Sequence, residues 1–84
     1  MQNYKIDILT YHSNNQVNSK CADITFQNTG TSTVTINNGF ELTAGSSLSI
    51  SANENEEDNT IYTFYFSSNS ITDNTLIVLR KIYI

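Results

Sequence analysis

The stretch ANENEEDN, residues 52–59, is the chain's one concentrated run of acids. Oxygen-rich loops of this kind are where hard cations bind. A calcium loop of the helix–loop–helix type needs ligands at alternate positions, Gly at the sixth and a bidentate Glu at the twelfth. Counting from Asn53, Asn55 and Glu57 take spaced positions, but the sixth residue is Asp58 and the twelfth is Phe64. Glu54, Glu56, Glu57 and Asp58 therefore read as a solvated loop rather than a required metal site, an interface cation being the alternative. His12 is the sole histidine, and a zinc site needs further His, Cys or well-placed carboxylates around it. His12 is also the one base available to the serines, none of which stands in a G-x-S-x-G elbow. Cys21 is single. It forms no intrachain disulfide and belongs to no Cys-His-Asn set, so it reads as a small half-buried side chain rather than a reactive thiol. Eight acids would allow a carboxylate pair for glycoside hydrolysis. With no Trp and few aromatics off the core-facing positions, a sugar cleft is not expected. The three glycines all fall in turn signals, leaving no phosphate-cradling loop. No catalysis, no metal and no cofactor are expected.

Charge narrows the partners. The net charge is −4, with four basic residues in the whole chain and one basic pair, Arg80-Lys81. Nucleic acid calls for a basic stripe that displaces counterions, and anionic lipid attracts clustered Lys and Arg in the same way. Neither is expected as a partner. The opening MQNYKIDILTYH lacks the basic start, long apolar core and cleavage site of a signal peptide. No apolar run approaches the roughly 20 residues of a membrane helix. A soluble product, made in a cytoplasm and not exported by its own signal, is the expectation.

What must position any site is a small β-domain. Asn, Thr and Ser supply 33 of the 84 residues, and Pro is absent. Thr, Ile, Tyr, Phe and Val favour strands, while Asn and Ser bond the local backbone in turns. One domain, 1–84, fits this length. A chain so short hides only about 60–65% of its unfolded surface, and many such domains lean on a partner. Tyr4, Ile6 and Ile8 share one face of a first strand at about 3–11, with Lys5 and Asp7 on the other. Residues 12–20, HSNNQVNSK, read as a polar loop too long for a tight turn. ADITFQN points Ile24 and Phe26 inward by period two, and TVTI does the same with Val34 and Ile36. Asn38-Gly39 can supply the two positive-φ positions of a type I′ turn, after which Phe40 and Leu42 resume the alternation. Gly45 marks a further turn before SSLSIS. TIYTFYF shares Tyr62, Phe64 and Phe66 on one face, and TLIVLRKIYI is apolar on both faces through Leu79, as befits a strand covered on both sides. The sum is an all-β fold: a small antiparallel sandwich or barrel of six to seven short strands, connected as a meander.

Two apolar features exceed what one core needs. Ile61, Tyr65 and Tyr83 lie on strand faces opposite the core residues and suit a contact surface, a second cluster under a loop being the alternative. The chain closes on an apolar strand end that must pack on something. Either its own sheet supports it, or Arg80, Lys81, Ile82, Tyr83 and Ile84 reach the rim and contact a partner, acidic toward the basic pair.

From Ala22 to the end, the order of elements resembles small β-proteins encoded among the virion genes of tailed bacteriophages of Bacteroidetes, the crAss-like phages in particular. The parts that carry it are ADITFQNTGTSTVTINNGFELTAGSSLSI, NENEEDNTIYTFYF and NTLIVLRKIYI, which are turn and core signals without catalytic content. Residues 1–21 lie outside it. The resemblance implies a structural role: an auxiliary or decoration protein on the capsid, or a small part of a tail or head fibre. Its partners would be the major capsid protein or other virion subunits, with a homo-oligomer as a further expectation. It would reside in the virion after synthesis in the host bacterial cytoplasm. The alternative is a free binding module for carbohydrate or surface recognition, or for regulation inside the host. A lectin-like site needs exposed aromatics beside Asn and Asp, whereas a decoration protein needs a flat apolar patch.

Overall fold

The computed structural model describes residues 3–37, 39–53 and 56–84. Eight strands form, and no helix appears among these residues: β1 Tyr4–Tyr11, β2 Asn15–Asn18, β3 Asp23–Asn28, β4 Val34–Ile36, β5 Phe40–Leu42, β6 Ser47–Ser51, β7 Ile61–Phe66 and β8 Leu76–Tyr83. They make two four-stranded antiparallel sheets, β1-β8-β3-β6 and β2-β7-β4-β5. This connectivity, with strands alternating between sheets, is that of a jelly roll.

The chain is not a meander, since β4 and β5 alone pair as consecutive strands. There is also one strand more than expected. β2 lies inside the presumed loop 12–20 and carries a single buried apolar residue, Val17, too little to show a period. It forms because it completes the edge of β7, with Asn15 opposite Phe64 and Asn18 opposite Ile61.

Period two places the core. Ile24 and Phe26 of β3 and Leu76 and Val78 of β8 face Val34, Ile36, Leu42, Tyr62, Phe64 and Phe66 of the second sheet. Edge-to-face aromatic pairs cross between the sheets, Phe26 with Tyr62 at 5.2 Å and Tyr11 with Phe64 at 4.8 Å between ring centroids, the arrangement favoured by the ring quadrupoles. Where strands leave the core, buried amides hold the backbone. Asn28 donates to the Ser32 and Leu42 carbonyls at 2.8 and 2.9 Å and accepts from Gly30 N–H.

The hairpin at 33–42 forms with different turn chemistry from that expected. Gly39 N–H donates to the Ile36 carbonyl at 3.3 Å, and the positive φ belongs to Asn37, at 52°. Asn38 lies outside the described residues. Asn37 holds its place by exchanging bonds with Thr63, its N–H donating to the Thr63 carbonyl and its Oδ1 accepting from Thr63 N–H. Asn tolerates the left-handed region better than most residues, which frees Gly39 from supplying it.

Candidate functional site

Opposite parity decides what β1 shows to solvent. Leu9 and Tyr11 pack toward the core, so by alternation Tyr4, Ile6 and Ile8 turn outward, each more than half exposed. The register sets Ile6 against Lys81 and Ile8 against Leu79 of β8, and Leu79 is exposed too. Contrary to the sequence reading, β8 is covered on its inner face alone. Tyr4, Ile6, Ile8, Ile77 and Leu79 form one apolar strip, flanked by Tyr83. Contiguous exposed apolar patches on small proteins often mark contacts. Lys81 lies over the Tyr4 ring, Nζ 4.6 Å from its centroid, and a shallow hollow between Ile6, Thr25, Leu79 and Lys81 roughens the strip. The other half of the same face is polar: Thr25 Oγ1 meets Ser49 Oγ at 3.1 Å, with Ser47 and Ser51 beside Gln27 and Asp23.

The five C-terminal residues named as partner contacts divide. Arg80 points inward. Its Nε donates to Asp7 Oδ2 at 3.0 Å, its Nη2 to the same oxygen, and its Nη1 to the Asn18 carbonyl at 2.7 Å. Ile82 packs against the core. Lys81 and Tyr83 are half-buried at the outer face, and Ile84 is exposed while its N–H donates to the Asn3 carbonyl. The strand end is thus held by its own sheet, against β1. Ile61 and Tyr65 are exposed on the second sheet as expected, but Asn18 and Thr35 stand opposite them. Single apolar residues among polar neighbours are ordinary surface.

The polar hollows are internally satisfied. His12, Ser13, Asn14, Ser68, Asn69, Ile71 and Asn74 line one. There His12 Nδ1–H donates to the Asn74 carbonyl at 2.7 Å, while the buried Asn74 amide donates to the Ser68 carbonyl and accepts from Ser32 Oγ. The second lies beside the acidic loop, against Ile50, Glu56, Glu57 and Asp58; Glu54 and Asn55 lie outside the described residues. Asp58 accepts from Tyr62 Oη at 2.7 Å, Thr60 N–H at 2.8 Å and Ser19 Oγ at 3.2 Å. Burial pushes its carboxyl up, and the hydrogen bonds from Thr60, Tyr62 and Ser19 outweigh this, holding it below the ordinary range. Phe64, the twelfth position of the calcium pattern, is buried in the core. Burial and the Asp58 charge push the Cys21 thiol up to about 11, which leaves it protonated and inert at neutral pH.

No family model, no curated protein and no solved structure matches the chain.

Proposed function

We propose that this chain is a non-catalytic structural component of a bacteriophage virion, an auxiliary or decoration protein that seats its β1–β8 face on a larger subunit such as the major capsid protein. One observation carries the reading: a contiguous apolar strip, Tyr4, Ile6, Ile8, Ile77 and Leu79, on the outer face of a sheet whose other half is polar. A free domain gains nothing from exposing such a strip, whereas a subunit held in a shell recovers the apolar burial that a core this small lacks. Jelly rolls serve both as capsid domains and as lectins, so the fold does not choose between them. The surface favours the first. A carbohydrate module needs aromatics beside Asn and Asp, and no aromatic residue lines the Asn-rich hollow among the described residues. Quantitative mass spectrometry of purified particles tests the proposal. The chain should be present in many copies per particle, and its absence from particles while abundant in the lysate would overturn the reading.

A further inference from the structure

Each sheet ends in two edge strands, and edges with free N–H and C=O groups recruit further strands unless blunted. Three of the four edges here are short: β2 has four residues, β5 three and β6 five. β1 has eight, and its apolar residues face outward. Its hydrogen-bonding parity follows from the pairing with β8. Ile84 N–H donates to the Asn3 carbonyl in the β1–β8 register, so the odd residues of β1 bond to β8. By the alternation of antiparallel ladders, Tyr4, Ile6, Ile8 and Thr10 direct their N–H and C=O groups away from the sheet.

We infer that β1 pairs antiparallel with β1 of a second copy of this chain, about a two-fold axis at Ile6. The charges select this occupant and this register. Centred on Ile6, the outward groups of Tyr4, Ile6 and Ile8 meet those of Ile8, Ile6 and Tyr4 in the other copy, every pair exchanging both N–H···O bonds. The pairs between them set Lys5 opposite Asp7 in both directions, in the non-hydrogen-bonded positions where side chains come closest. Moving the axis to Asp7 opposes two carboxylates, and moving it to Lys5 opposes two ammonium groups. Moving it to Ile8 sets both charges against apolar residues, Asp7 against Leu9 and Lys5 against Tyr11. Lys5 is exposed and has no ion pair among the described residues, while the Asp7 carboxylate keeps an open side beyond Arg80. The pairing joins two four-stranded sheets into one of eight and runs the two apolar strips together, giving a larger subunit a broader face. It does not depend on the chain being a virion protein, and the two proposals fail in separate experiments.

Sedimentation of the full chain reads the association, and cysteine cross-linking reads the register. The wild type should sediment at twice the mass of one chain. Ile6→Lys, which opposes two cations at the axis, and Lys5→Glu, which opposes two carboxylates, should sediment as folded monomers that still melt cooperatively, below the wild type by what association adds. Ile6→Cys should cross-link to itself under mild oxidation, because directly opposed Cα atoms about 5.5 Å apart suit a disulfide. Tyr4→Cys, facing Ile8, should not. A wild type that is monomeric up to its solubility limit overturns the inference. So does a dimer that survives both charge variants, or a Tyr4→Cys chain that cross-links as readily as Ile6→Cys.

Discussion

Asp58 stands in the acidic run that the sequence presents as a cation loop, yet its carboxylate is engaged by the chain itself. The Tyr62 hydroxyl, the Thr60 N–H and the Ser19 hydroxyl all donate to it, and its N–H and carbonyl bridge to Cys21. This latch ties the segment after β2 to the start of β7, and it gives stability a pH dependence at both ends. The Asp58 carboxyl titrates below its ordinary 3.8 in the folded state. Its contribution is therefore complete above that value and is lost as pH falls through the depressed one. On the alkaline side, burial and the Asp58 hydrogen bond push Tyr62 from 10.0 up to about 12, and burial pushes Cys21 from 9.0 up to about 11. Both raised groups favour the folded state while protonated, so stability declines from about pH 9 upward. Melting temperature against pH should show a plateau between these limbs. In Asp58→Asn the plateau should be lower and the acid limb flatter, and in Tyr62→Phe the alkaline limb should be shallower. An acid limb unchanged by Asp58→Asn would remove the latch from the account.

At the scale of elements, two glycines that look alike in the sequence behave differently. Gly30 passes so close to the 73–75 segment that a Cβ would lie 2.4 Å from the Asp73 carbonyl oxygen and 2.7 Å from the Thr75 nitrogen. Backbone cannot yield as a flexible side chain does. Gly30→Ala should therefore cost about 1–3 kcal/mol, the usual range for overpacking, or roughly 4–8 °C in Tm per kcal/mol for a domain this small. A Cβ at Gly39 would meet nothing nearer than the Asn37 oxygen at 3.9 Å. Gly39→Ala should leave the thermal melt within a degree or two of wild type, and equal losses at both glycines would contradict the assignment of the turn to Asn37. The all-β class and the inward residues of β3, β4 and β7 were legible because strict alternation repeats in each. β2 was not, since one apolar residue in NQVN has no period. The orientation of β1 was ambiguous for the opposite reason: Tyr4, Ile6 and Ile8 argue for one face, Leu9 and Tyr11 for the other. Packing of Tyr11 on Phe64 and pairing of Asp7 with Arg80, contacts made across the chain, decide it.

The whole molecule is a narrow sandwich, 43 × 21 × 19 Å, in which much of each sheet lies near solvent. The motifs expected from the sequence to place the chain lie in turns and core, whereas the surface proposed to act lies partly on β1. TIYTFYF and TLIVLRKIYI carry more apolar residues than one core needs, and their sequence does not say whether a loop or another molecule covers them. Exposed apolar residues occur on both sheets, but Tyr4, Ile6, Ile8 and Leu79 gather on the outer face of one, the face proposed to seat on a larger partner. Ile8→Asp tests this most directly, because Ile8 is 61% exposed and a surface change of this kind usually moves stability by no more than about 0.5 kcal/mol. Particles assembled with this variant should contain a small fraction of the wild-type copies by quantitative mass spectrometry, while the purified variant stays folded and sediments as the wild type does. Equal occupancy of variant and wild type would contradict the claim that this face is the one that docks.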